Sequence, residues 1–124
     1  MLLAIDVGNT NMVIGVFDGN TLIQSWRLQT LRERTSDELG LLVEGLFKHS
    51  GLDQSKITGV VLGSVVPPLT GTTCTMVERF FKRTPLVVDP ARNAGMPIRY
   101  ENPAEVGADR IVNAIAANEQ FGTN

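Results

Sequence analysis

Asp6, Gly8, Asn9 and Thr10 follow directly on the apolar run Leu2–Ile5 and precede a second apolar run, Met12–Phe17, with Gly15 inside it. A turn of this composition between two strands can bring backbone N–H groups to a phosphate. Thr10 can add a hydroxyl donor, and Asp6 can hold Mg²⁺ or its waters. The same pentapeptide also reads as an ordinary hairpin whose Asp and Asn only satisfy turn backbone. No Walker-type glycine-lysine loop and no dinucleotide GxGxxG pattern occurs in the chain, so a hairpin loop is the remaining route to a nucleotide.

The second group is Gly107, Ala108, Asp109 and Arg110. Asp109 can accept a proton from a substrate hydroxyl, which phosphoryl transfer asks of a positioned carboxylate, and the planar fork of Arg110 can clamp a substrate carboxylate. An Asp–Arg pair on a solvated helix face is the plainer alternative. Tyr100, the single tyrosine, either walls a pocket or staples the start of the following helix. Ser64-Val65-Val66-Pro67-Pro68 makes a rigid loop, in which the prolines are read as structural. Arg32 and Arg34 read as a solvated loop, and Trp26, Met76, Phe80 and Phe81 as core.

These groups need elements to hold them. Leu2–Val7, Met12–Phe17 and a run from Leu22 to Leu28 are predicted as three strands of a meander, joined by the turn residues Gly8–Asn11 and Asp18–Asn20. The period then becomes helical: Leu39, Leu42, Val43, Leu46 and Phe47 form one stripe, Thr35 and Glu38 a capping box, and Gly51 the stop. A strand is predicted over Ile57–Leu62, a helix opening at Pro68, a short strand Leu86–Val88, and a last helix from Asn102 and Pro103 to about Gln120. The order βββαβαβα calls for an α/β fold of ribonuclease H-like topology: a mixed sheet with right-handed crossovers and helices on both faces. With the first strand central, Asp6 and Ser64 fall at carboxyl strand ends, where ligands of open α/β sheets bind.

Composition narrows the function classes. The chain has 124 residues, 11 Lys and Arg against 13 Asp and Glu, a formal net charge of −2, and 43% hydrophobic residues. That is enough for one core, and too even a charge balance to suggest a nucleic-acid or membrane partner. One cysteine, Cys74, and one histidine, His49, cannot build a zinc site or an internal disulfide. Without a leader-like start or a membrane-length apolar run, a cytoplasmic setting is expected.

Taken in order, Asp6-Val7-Gly8-Asn9-Thr10, Arg27 and Thr30, Thr35 with Asp37-Glu38, Ser64-Val65-Val66-Pro67, and Asn102-Pro103 with Glu105-Val106-Gly107-Ala108-Asp109-Arg110 resemble the type III pantothenate kinase family along the whole chain. The opening DxGNT alone resembles the phosphate-1 element of the wider actin, Hsp70 and sugar-kinase superfamily. The resemblance implies ATP-dependent phosphorylation of pantothenate to 4′-phosphopantothenate, the first step of coenzyme A biosynthesis. It also implies a cytoplasmic homodimer that uses Mg²⁺ and a monovalent cation, K⁺ or NH₄⁺. By that similarity Asp6, Val7, Gly8, Asn9, Thr10, Asn11, Met12 and Val13 contact the ATP phosphates. Tyr100, Gly107, Ala108, Asp109 and Arg110 hold pantothenate, and Asp109 is the catalytic base.

Members of the family continue into a second, related domain that supplies the monovalent-cation ligand, further ATP contacts and much of the dimer surface. By the same resemblance that ligand is expected beyond Asn124. Residues 1–124 are therefore expected to be the N-terminal, ATPase-type domain of a two-domain kinase, inactive without its second half. The alternative is a non-catalytic regulatory or accessory protein of the same fold; intact Asp6, Thr10, Asp109 and Arg110 argue against a degraded site.

Overall fold

The computed structural model describes residues 1–88. The strand β1 (Leu2–Val7) is followed by β2 (Asn11–Asp18), β3 (Thr21–Gln29), the helix α1 (Ser36–His49), β4 (Gly59–Ser64), the helix α2 (Pro67–Phe80) and β5 (Leu86–Val88). The predicted last helix, with Tyr100 and the Gly107–Arg110 segment, lies outside the described residues.

The five strands form one mixed sheet in the order β3-β2-β1-β4-β5. The first three pair antiparallel as the predicted meander, whereas β1–β4 and β4–β5 pair parallel through the helical crossovers. β1 is thus central, and every residue from Leu3 to Val7 is buried. Alternation divides its side chains between two faces. Leu3, Ile5 and Val7 join Met12, Ile14 and Val16 of β2 and Val60 and Leu62 of β4 under α1 and α2. Ala4 falls on the opposite face with Phe17, packed by Leu2 and Val13. Helices on both faces were expected; among the described residues both helices belong to one face.

α1 starts and stops where its sequence dictates. Thr35 caps it in a complete box: the Glu38 N–H donates to Thr35 Oγ1 at 3.1 Å and the Thr35 N–H to Glu38 Oε1 at 2.9 Å. At the other end Ser50 is the C-cap and Gly51 takes φ 71°, a left-handed conformation that costs glycine little. Of the predicted stripe Leu39, Val43 and Phe47 are buried and Leu46 is half-buried, but Leu42 is exposed, because it lies at the edge of the face that α1 turns to the sheet. Phe47 meets the Trp26 ring at 5.3 Å and the Phe81 ring, edge-on, at 5.5 Å. Contacts at such distances add to the burial itself, about 1.5–3 kcal/mol for a side chain of this size.

β4 and α2 are bounded differently from the sequence expectation, and β2 and β3 run one residue further at each end. Ile57 is buried but lies before β4, because Gln54–Lys56 forms a 3-10 turn first, capped by the Asp53 carboxylate, which accepts from the Ser55 N–H at 2.9 Å. The strand runs two residues further, to Ser64. α2 opens one residue earlier than predicted: Val66 is its N-cap and Pro67 its first residue, a position where the missing N–H of proline is no loss.

The helices meet closely. A Cβ placed on Gly40 of α1 would lie 2.1 Å from Cε1 of Phe80 in α2, so the ring occupies the space that a side chain at 40 would need. Arg79 also pairs with Asp37 across the two helices, an exposed ion pair of small energetic weight.

Candidate functional site

The register of the sheet sets Asp6 in a row that crosses every strand: Arg27 on β3 faces Val13 on β2, Val13 faces Asp6, Asp6 faces Gly63 on β4, and Gly63 faces Val88 on β5. Directly paired residues share a face, so Asp6 projects away from α1 and α2, and it is only 6% exposed. A carboxylate buried to this degree near the end of a central strand is costly without compensation. Asp6 is not without a partner.

The chain leaves β1 into the turn Gly8–Asn11, closed by the Gly8 N–H donating to Asn11 O at 2.9 Å. Asn9 and Thr10 form its exposed tip. Neither adopts a positive φ, and among the described residues their N–H groups make no hydrogen bond to protein. Beside this turn the parallel β4 ends at Ser64, paired with Val7, and the Val65 N–H donates to Val7 O at 3.0 Å. The carboxyl ends of β1 and β4 thus lie together, as expected for Asp6 and Ser64. The Ser64 hydroxyl is engaged locally, accepting from the Val66 N–H at 3.1 Å and donating to Val66 O at 3.2 Å. It shapes the entry to α2.

Of the eight residues assigned to phosphate contact, Val7 and Met12 put their side chains into the core and have only backbone to offer a ligand. Asp6 and Val13 lie on the other face, and Gly8, Asn9, Thr10 and Asn11 make the turn itself. Tyr100, Gly107, Ala108, Asp109 and Arg110 lie outside the described residues. So does Asn124, beyond which the monovalent-cation ligand is expected.

The sequence reading missed two contributors. Thr30, just past β3, donates its N–H to Thr10 O at 2.8 Å and its hydroxyl to Gly8 O at 2.8 Å. Arg32, expected in a solvated loop, is exposed but reaches the turn, its Nη2 donating to Asn9 Oδ1 at 3.4 Å. Their bonds span 22 and 23 residues, so no local pattern signals them. Arg34 also departs from a fully solvated loop, because its Nη1 is buried.

Among the described residues no group of three His, Cys, Asp or Glu side chains could hold a metal. A buried carboxylate beside an exposed turn is the kind of donor that Mg²⁺ uses when it keeps most of its waters, since this ion rarely uses an all-protein cage. Cys74 is no nucleophile in waiting: burial, aided by the charge of Glu78, raises its thiol pKa. No helix among the described residues is long and apolar enough to cross a membrane.

Comparison with known proteins agrees with this geometry. Among solved structures, the chain superposes on RuvC of Thermus thermophilus with a TM-score of 0.58 at 13% identity, over 98% of this chain and 96% of that one. It superposes on the ROK hexokinase of Thermus thermophilus with a TM-score of 0.55 at 20% identity, over 75% of this chain and 35% of that one. At such identities only the fold is shared, and it is the expected ribonuclease H-like one. Two curated relatives called type III pantothenate kinase are much nearer in sequence. That of Myxococcus xanthus is 57% identical over 97% of this chain and 47% of its own length. That of Geobacter sulfurreducens is 52% identical over 100% of this chain and 49% of its own length. The chain thus spans about half the length of the curated relatives it matches. The family model for type III pantothenate kinase matches residues 2–124, and the chain belongs to that family.

Proposed function

We propose that this chain is the nucleotide-phosphate half of a kinase that transfers the γ-phosphoryl group of ATP to the primary hydroxyl of pantothenate, giving 4′-phosphopantothenate. The observation that carries the reading is the turn Gly8–Asn11, at whose exposed tip the Asn9 and Thr10 amides make no hydrogen bond among the described residues, set at the carboxyl ends of β1 and β4 beside the buried Asp6. Membership in the type III pantothenate kinase family supports pantothenate as the substrate.

Phosphoryl transfer asks a protein mainly for positioning and for charge stabilisation. In this reading the amides of the turn hold phosphate oxygens by short, directed N–H donation, and the Thr10 hydroxyl adds a donor. Asp6 would hold Mg²⁺ or its waters on the phosphate side, and the chemistry such an ion would supply there is neutralisation of charge on the transferring group. On the nucleophile side Asp109 takes the proton of the substrate hydroxyl as its oxygen attacks phosphorus and the bond to the ADP oxygen breaks. Tyr100, Gly107, Ala108 and Arg110 hold pantothenate, with the Arg110 fork on its carboxylate. A monovalent cation, K⁺ or NH₄⁺, with its protein ligand beyond Asn124, and a homodimer whose surface lies largely in a second domain complete the proposal, together with a cytoplasmic setting.

The test is ADP release from ATP and pantothenate, with Mg²⁺ and K⁺, by the full-length protein containing this chain and by its Asp109→Asn variant. The variant is expected to lose turnover by more than about 100-fold with nucleotide affinity retained, because its carboxylate serves the nucleophile. Equal loss of ATP binding would remove Asp109 from that role. A wild-type protein that binds ATP without phosphorylating pantothenate would favour a regulatory or accessory protein of the same fold.

A further inference from the structure

We propose that Thr30 is a positioning residue for phosphoryl transfer: it fixes the direction of the Asn9 amide in the phosphate turn by gripping the Gly8 carbonyl behind it. The inference rests on the reading of Gly8–Asn11 as the phosphate turn and assigns a part to a residue that has none in that reading.

β3 ends at Gln29, yet Thr30 makes two further hydrogen bonds, and both land on the turn. Its hydroxyl donates to Gly8 O and its N–H to Thr10 O, each at 2.8 Å. A peptide unit is planar and trans, so a carbonyl oxygen points opposite to the N–H of the next residue. Fixing Gly8 O therefore fixes the Asn9 N–H, and fixing Thr10 O fixes the Asn11 N–H. Of the two exposed amides at the tip, the hydroxyl grip sets that of Asn9, while the N–H bond to Thr10 O holds the far side of the turn. Arg32 adds a looser tie through Asn9 Oδ1 at 3.4 Å.

This arrangement answers a difficulty of hairpin phosphate sites. The tip is exposed, and Asn9 and Thr10 have no packed side chain to hold their peptide planes. Donors that wander must be ordered when the phosphate arrives, which weakens binding and slows transfer; donors already ordered avoid that loss. The Thr30 hydroxyl does the ordering from the side of the turn opposite the amides, so a ligand on those amides need not displace it. Removing the hydroxyl while keeping the side-chain shape, as in Thr30→Val, leaves the N–H bond to Thr10 O and frees Gly8 O. Thr30→Ser keeps the donor.

The experiment compares Thr30→Val and Thr30→Ser with the wild type in the full-length protein, reading KM and kcat for MgATP and for pantothenate, the melting temperature, and amide hydrogen exchange across residues 8–11. Loss of one hydrogen bond of ordinary strength predicts that Thr30→Val lowers kcat/KM for MgATP about five-fold and speeds exchange at Asn9 by a similar factor. KM for pantothenate stays within about two-fold of wild type, and Thr30→Ser restores both losses. Unchanged kcat/KM for MgATP in Thr30→Val overturns the proposal. So does an equal loss for both substrates that tracks the melting temperature and is not rescued by serine. If the wild type fails to phosphorylate pantothenate, the kinase reading falls, and exchange alone then decides: unchanged exchange at Asn9 refutes the grip, faster exchange rescued by serine upholds it.

Discussion

Gly40→Ala is the perturbation for which the structure fixes both opposing effects. A Cβ at this position would sit 2.1, 2.3 and 2.4 Å from Cε1, Cδ1 and Cζ of Phe80. Carbon pairs settle at about 3.5–4.0 Å, so the gap is more than an ångström short on three atoms at once. The methyl group cannot yield, so the Phe80 ring must swing off α1. Overpacking of this kind costs about 1–3 kcal/mol. Against it stands the gain from replacing glycine inside a helix, about 0.5–1 kcal/mol. The net expectation is destabilisation of up to about 2.5 kcal/mol. Urea unfolding of the full-length protein would show it as a lower midpoint. The decisive comparison is a double-mutant cycle with Phe80→Ala. Once the ring is gone, Gly40→Ala should stabilise by the propensity gain alone, reversing its sign. A Gly40→Ala change that stabilises the wild-type background, or that has the same effect in both backgrounds, would refute the account of the α1–α2 contact.

Further expectations follow from the helix ends and the core. Thr35→Ala removes the oxygen that accepts the Glu38 N–H and should cost about 1 kcal/mol, read as a lower urea midpoint. The Thr35 hydrogen bonds also hold the Glu38 carboxyl below its ordinary value of 4.5. A carboxyl whose folded value is depressed contributes in full at neutral pH and loses that contribution as pH falls through the folded value. Stability should therefore decline below about pH 5, and less steeply in Glu38→Gln, which removes the titrating carboxyl; an identical acid slope would remove the capping box as its source. Thr73 is fully buried in α2, and its hydroxyl has no hydrogen-bond partner among the described residues. Thr73→Val keeps the branched shape, discards the unsatisfied group, and should raise the urea midpoint by about 1 kcal/mol equivalent.

What the sequence disclosed follows the range of the forces involved. The meander, the capping box at Thr35 and the stop at Gly51 are local patterns, and each stands where the residues place it, whereas the stripe predicted for α1 holds at Leu39, Val43 and Phe47 and fails at the exposed Leu42. The central place of β1 was legible too, because a meander followed by strand–helix alternation leaves few sheet orders open. The errors lie where two local signals compete. Ile57 is apolar enough for a strand, yet the Asp53–Ser55 cap winds the chain into a 3-10 turn first. Either of two adjacent prolines can open a helix, and the first does. Long-range contacts were illegible: nothing near Gly40 announces Phe80, and nothing near Thr30 announces Gly8. Of the proposed site, the phosphate turn is described in full, while the pantothenate residues Tyr100 and Gly107–Arg110 fall outside the described part of the chain.

The sheet order has a consequence in time. The three strands of the meander and the Thr30 grip lie within the first 30 residues and can associate soon after that stretch emerges from the ribosome. The other edge of β1 must wait for β4, whose first residue is Gly59. At a synthesis rate of about 5–20 residues per second, that edge stays open for roughly 3–10 s. During those seconds an apolar strand offers unpaired backbone groups to any neighbouring nascent chain. Slower translation between Val7 and Gly59 lengthens that exposure, and faster translation shortens it.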